Sequence, residues 1–383
     1  MIRLIKFEVS KILNKKTTLG ALGAIIIILF GIFYIGFHYS HLGLVNRNNS
    51  DKGYPDIYWE KSYKFEGELT DENISELLSD YITDYQNLPV KDRPFDLYSS
   101  NIADVFFSSD QEDVYIRMND AMEKGELVTI NDLKINKISE VGFTHFTEPL
   151  KMGSYITWSD LYKVVGVIFV FASIVAILIS SKIFSGDTSI NIDSLLTTTK
   201  FGKTLLPCAK IITGVTLSVG FYWMLQLITC IAFYFYNRGW SGWDTSIQYN
   251  FVLQTFSFLS NLNNLQILLL QFIFYTFSVI AISSVTLLVS ALNKSTVVSL
   301  VISVGLFLLP LAMTQIFREG LLNHFLYILP INNYSIENFL TIFDKGNILL
   351  PFSFQINIMV ICFIFFSFSI LINKVTSKKI KGL

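Results

Sequence analysis

Long apolar runs separated by polar stretches organise this chain. Six of them, Leu19–Tyr39, Val164–Ser181, Ile211–Tyr236, Leu265–Leu292, Val297–Phe317 and Pro351–Ile372, hold no Asp, Glu, Lys or Arg in their interior. Crossing a hydrocarbon core of about 30 Å takes roughly 20 apolar residues in a helix. The pattern therefore predicts an all-α polytopic membrane protein with six transmembrane helices, at 18–41, 161–182, 206–236, 263–293, 296–317 and 351–373. Between them lie a cytoplasmic-face helix at 1–17, a large outer domain at 42–160 and a polar loop at 183–205. An outer loop at 237–262, a short outer segment at 318–350 and a basic tail at 374–383 complete the layout.

Shorter periodicities fill in the rest. In "MIRLIKFEVSKILNKK" the residues Ile2, Ile5, Val9 and Ile12 recur with Lys and Arg between them. That describes a basic amphipathic helix at the membrane surface, or a cytoplasmic extension of the first span. In the outer domain, Thr70 opens a helix with acids in its first turn and Ile74, Leu77, Leu78, Tyr81, Ile82 and Tyr85 on one face, stopping before Pro89. A second helix is expected over Asp113–Lys124, closed by Gly125, and "ELVTINDLKI" reads as a strand, so the domain is mainly α or α+β. Trp158 and Tyr162 sit before the second span like interfacial anchors, as do Trp240 and Trp243 after the third. "GLLNHFLYILP", Gly320–Pro330, is too short to cross and predicts a re-entrant or interfacial helix pair broken at Pro330, while Pro310 kinks the fifth span.

Charge supplies the orientation. With the N-terminus inside, the inner segments collect 14 of the 29 basic residues and only three acids, Glu8, Asp187 and Asp193. Basic residues favour the cytoplasmic side, so both termini are expected there and 42–160 outside. The first run is too long for a signal peptide and reads as a retained anchor. Composition agrees with the membrane class: 52% of residues are hydrophobic and 15% charged. Cys208, Cys230 and Cys362 lie singly and suggest neither a metal spacing nor a disulfide framework. His38 and His41 are three apart, but no third ligand stands nearby, and His145 and His324 are isolated. The outer acids could attract a cation, although solubility explains them equally well.

The stretch "IFSGDTSINIDSLLTTTKFGKTLLP", Ile183–Pro207, is polar between two apolar runs. Its Gly202-Lys203-Thr204 matches the end of a phosphate-binding loop, but Thr197 stands where the first glycine belongs and no strand precedes it. Nucleotide hydrolysis by this chain is not expected. A short helix fits better: Asp187 or Thr188 caps it, Ile192, Leu195, Leu196 and Thr199 share a face, and Gly202 ends it. Such a helix is marginal alone. It wants a partner, the membrane surface or the chain's own tail.

These features together resemble the ABC-2 type permeases, the membrane subunits of one class of ABC exporter. The likeness rests on Phe184 and Asp187 leaving the second span, then Leu195-Leu196-Thr197-Thr198, the Lys200–Lys203 turn and Lys210. The number and layout of spans add to it; the outer domain's sequence does not. Members usually carry Glu where this chain has Asp187. The resemblance implies that the polar loop is a coupling helix docking on a separately encoded ATP-binding subunit through Phe184, Asp187, Ile192, Leu195, Leu196, Thr197, Lys200, Gly202 and Lys203. It further implies a complex of two permeases, identical or paralogous, with an ATPase dimer in a bacterial plasma membrane. ATP and magnesium would bind to the partner, no cofactor and no nucleic acid to this chain. The implied cargo is amphiphilic: a peptide, an antibiotic or a lipid-like compound. Two rivals remain: an ion-coupled secondary transporter, disfavoured by runs without an interior Asp, Glu, Lys or Arg, and a membrane protein for antimicrobial-peptide sensing or immunity.

Overall fold

The computed structural model describes residues 1–13, 16–40, 42, 54–87, 96–108, 114–143, 148–198, 202 and 204–381. Helices α1 (Ile2–Leu13) and α2 (Lys16–Phe33) lead into a π-helical turn, Tyr34–His38. Then come α3 (Tyr54–Lys64), α4 (Asp71–Asn87), α5 (Leu97–Phe106), α6 (Val114–Glu123) and α7 (Ile138–Val141). Helix α8 (Ile156–Ser181) is followed by the short α9 (Ser185–Thr188) and α10 (Asp193–Thr198), then by α11 (Leu206–Tyr236), α12 (Asn264–Leu292) and α13 (Thr296–Ile316). Helices α14 (Leu321–Ile328), α15 (Ile336–Asp344) and α16 (Phe354–Lys381) close the chain. Two-residue strands β1 (Gly67–Glu68) and β2 (Lys151–Met152) pair antiparallel, Gly67 opposite Met152.

Among the described residues five helices, α8, α11, α12, α13 and α16, are long and apolar enough to cross a bilayer. The helix is the natural state of such runs, because hydrocarbon offers backbone N–H and C=O groups no other partner. The expected first span corresponds to α2 and the π-helical turn, whose apolar stretch Gly23–His38 is shorter than the other five.

Contacts divide the chain into two units: Met1–Phe33, Tyr162–Ala232 and Leu269–Leu383 form one, Tyr34–Leu161 and Phe233–Leu268 the other. In the second unit, Thr70 caps α4 as the sequence predicts, its Oγ1 accepting from the Asn73 amide at 3.2 Å. Ile74, Leu77, Leu78, Tyr81 and Ile82 are buried along α4, and a core of Tyr58, Tyr98, Ile102, Phe106 and Tyr155 gathers Tyr249 and Phe251 from beyond α11. The outer loop expected at 237–262 thus contributes Tyr249 and Phe251 to that core, within the stretch Phe233–Leu268 that belongs to this unit. The acids of α4 are partly engaged within the unit: Lys61 Nζ donates to Asp80 and, at 2.5 Å, to Asp84.

Two expectations are corrected here. "ELVTINDLKI" is no strand; Ile130–Asp132 forms a 3-10 turn, because the Thr129 amide and hydroxyl both donate to Asp132 Oδ2 and close the backbone locally. Trp158 and Tyr162 are fully buried rather than interfacial, and Trp158 Nε1 donates to the Ser241 carbonyl at 2.8 Å. Trp240 and Trp243 do stand exposed.

In the first unit, α14 and α15 are separated by a 3-10 turn beginning at Pro330. Amphipathic α15 buries Phe339 and Phe343 against Phe274 of α12. The Tyr275 hydroxyl, receiving a hydrogen bond from Gln271 at 3.0 Å, donates to the carbonyls of Asn333 and Tyr334 at 2.9 and 3.2 Å. Gly166 of α8 lies so close to the Tyr334 carbonyl that a Cβ would overlap its oxygen. Gly166→Ala is therefore expected to cost about 1–3 kcal/mol by overpacking. Gly220→Ala, at a helical position with open space around it, should be neutral or gain up to about 1 kcal/mol. Thermal unfolding of both variants in detergent checks the pair; equal losses would contradict this packing.

Candidate functional site

The polar segment between α8 and α11 is assembled by groups from other helices. Ser290 of α12 comes first: its Oγ donates to the Ser181 carbonyl at 2.7 Å and accepts from the Phe184 and Ser185 amides at 3.2 and 3.0 Å. One hydroxyl thereby serves a carbonyl and two amides where α8 ends and α9 begins, groups a helix terminus leaves without partners. Phe184 packs into a small apolar core with Ile183, Ile211 and Leu287, against which Ile12 of α1 also rests.

That anchoring turns Asp187 of α9 inward, where it is only 3% exposed. Its Oδ2 accepts from Lys210 Nζ of α11 and its Oδ1 from Lys11 Nζ of α1. Lys210, itself buried, also donates to the Ile183 carbonyl at 3.1 Å and lies 5.5 Å from the centre of the Phe184 ring. Glu8, one turn before Lys11 on α1, is 2% exposed and 3.9 Å from the Lys11 Nζ. Two carboxylates and two ammonium groups thus meet where α1, α9 and α11 converge.

The two acids titrate in opposite directions. Burial pushes Asp187 up, but Lys210 and Lys11 more than offset it and hold the carboxyl below its usual value. Burial dominates at Glu8: despite the opposing charges of Lys210 and Lys11, and with Asp187 adding to the effect, its carboxyl is raised. Asp187 is the charged partner the lysines select; Glu8 is the one burial resists.

The expected single capped helix is corrected. Asp187 does not cap the helix carrying Leu195. The segment makes two short helices, because Asn191 takes the left-handed conformation (φ 56°) and the Ile192 amide donates back to the Asp187 carbonyl at 3.0 Å. Asn tolerates that conformation better than most residues. Of the expected docking residues, Phe184 and Asp187 are buried and hold the loop from within. Ile192 and Leu195 are 39% and 68% exposed, Leu196 is half-buried, and Ile190, not foreseen, is 58% exposed. Thr197 lies in α10 and Gly202 is buried in a turn, while Lys200 and Lys203 lie outside the described residues. Sequence reasoning also missed Lys11 and Glu8 as members of the site. The available signal was Glu8 itself, the sole acid of an otherwise basic amphipathic helix.

Among the described residues no three His, Cys, Asp or Glu side chains gather as a metal site would require. The five long apolar helices place the chain among the multi-pass helical membrane proteins. Comparison with family models, curated proteins and solved structures returns no match.

Removing the Asp187 charge leaves the buried Lys210 without a carboxylate and takes one from Lys11. Asp187→Asn is expected to cost about 3–5 kcal/mol at neutral pH, the usual penalty for breaking a buried pair from one side. Since Asp187 titrates below its ordinary 3.8, its contribution is present above that value and is lost as pH falls through the folded-state value. Unfolding temperatures of variant and wild type should accordingly converge in acid. A gap that is absent at neutral pH, or that persists undiminished in acid, would contradict the assignment.

Proposed function

We propose that this chain is the membrane-spanning permease subunit of an ATP-driven transporter of the ABC-2 type, exporting an amphiphilic substrate. The observation that carries the reading is a polar loop whose base is locked and whose tip is apolar. Asp187, Lys11, Lys210 and Ser290 hold the base. Ile190, Ile192 and Leu195 stand exposed beyond it. A loop that transmits force needs both properties: a face that fits a groove in another protein, and a stiff connection to the spans that must move.

In this reading the loop faces the cytoplasm, as the distribution of basic residues favours, and the stretch around α2 supplies a sixth crossing. A separately encoded ATP-binding subunit takes Leu195 and Ile192 into its surface. Its closure on ATP displaces α9 and, through Asp187, drags α11 and α1 together as a rigid body. Two permease copies and two ATPases complete the assembly. The six apolar runs hold no Asp, Glu, Lys or Arg in their interior, which favours energy supplied from outside the chain over coupling to an ion gradient.

The test is purification of the full chain from its native membrane in mild detergent, followed by identification of co-purifying proteins. An ATP-binding protein should accompany the wild type and fall about tenfold or more with Leu195→Asp, a loss of about 1.4 kcal/mol or more of binding, while unfolding temperature stays unchanged. If no ATP-binding protein is retained even after cross-linking in the membrane, the proposal fails.

A further inference from the structure

A second feature of the first unit has nothing to do with the loop. Helices α12, α13 and α16, with the turn that begins at Pro330, enclose a groove of about 160 Å³. Phe307, Ile331 and Phe365 form its buried floor, and Leu306 and Phe368, each 48% exposed, frame its mouth. Its only polar side chains are Thr286 and Ser303. Thr286 already donates to the Ile282 carbonyl at 2.9 Å, whereas the buried Ser303 Oγ has no partner among the described residues. Pro310, also lining the groove, has no N–H to give the Leu306 carbonyl one turn earlier.

The chemistry of this lining selects its occupant. Among the described residues no charged group lines the groove, so nothing there would hold a lipid headgroup, an ion or a charged peptide. Apolar cavities of about 150 Å³ exclude water and accept apolar guests of matching size. The mouth lies on α13 and α16, where the exposed neighbours three and four residues from Leu306 and Phe368 (Ile302 and Leu309; Ile364 and Leu371) are all apolar, so it opens towards hydrocarbon. We propose that the groove is a seat for a phospholipid acyl chain, inserted between α13 and α16 beneath the Pro330 turn. The seated chain supplies the dispersion contacts that Phe307, Ile331 and Phe365 lack on that side, and it ties the packing around Pro310 to the state of the bilayer. The proposal depends on these helices crossing a membrane and not on any ATP-binding partner.

Photolabelling tests it on the full-length protein. The chain is reconstituted in phosphatidylcholine vesicles containing a phosphatidylcholine with a diazirine midway along one acyl chain, illuminated, and mapped by peptide mass spectrometry. Adducts are expected on the buried Phe307, Ile331 or Phe365 as well as on the exposed Leu306 and Phe368. Ser303→Phe, which fills the groove, should remove the buried adducts and leave those on exposed Phe363 unchanged; the wild-type map decides the matter if that variant fails to fold. Adducts confined to Leu306 and Phe368 would overturn the proposal. So would protection of all five residues together with a disulfide between Leu306→Cys side chains of two copies, which would make the groove an interface between protomers.

Discussion

A carboxylate taken out of water must be paired, and Asp187 is paired twice. Even after relaxation, burying an ion of that size costs several kcal/mol, recovered only where geometry and hydrogen bonding are good. The geometry here comes from three separate parts of the chain: Lys11 from α1, Lys210 from α11, and the Ser290-anchored turn that aims Asp187 inward. Displacing the Ser290-anchored turn or Lys210 alone would take a buried charge from its main partner. The arrangement therefore links the N-terminal helix, the loop and the base of α11 into one body, and leaves Ile190, Ile192 and Leu195 facing outward from it.

The rest of the first unit follows a different rule, that of polar groups satisfied inside an apolar bundle. Serines and threonines of α12 and α16 return their hydroxyls to carbonyls a turn earlier, as Ser278 does to Phe274 and Thr376 to Ile372. Where the backbone leaves the helix, near Pro330, asparagine side chains take over: Asn332 donates to the Leu326 carbonyl at 2.8 Å and Asn333 to the Leu329 carbonyl at 3.1 Å. Non-helical backbone between apolar helices is tolerated only with such internal partners. The ionic cluster around Asp187 and these neutral networks are thus two answers to the same scarcity of water.

What could be read from the chain beforehand depended on how far apart the interacting residues were. The helix after Thr70 was legible because cap, periodicity and stop lie within twenty residues or so of each other, a local pattern. The apolar runs were legible for the same reason. Asp187 was misread as a cap because its partners stand 23 and 176 residues away, and no local rule finds them. "ELVTINDLKI" failed through a competition that sequence leaves open: its β-branched Val128, Thr129, Ile130 and Ile135 suit a strand, but Thr129 donates to Asp132 first. Trp158 and Tyr162 failed because an aromatic at a span's edge serves lipid or protein equally well, and here 233–241 supplies protein to Trp158.

The central claim is that Asp187 and Lys210 act as one unit, and a double-mutant cycle measures it directly. Asp187→Leu, Lys210→Met and the double variant would be compared with the wild type by chemical unfolding in the same detergent. The account predicts strong coupling: Asp187→Leu leaves buried Lys210 without its carboxylate, Lys210→Met leaves Asp187 with Lys11 alone, and the double variant recovers a large part of the loss, with an interaction energy of about 2 kcal/mol or more. Simple additivity of the two single effects would show that the carboxylate and the lysine do not depend on each other, and the account of the locked loop would fall.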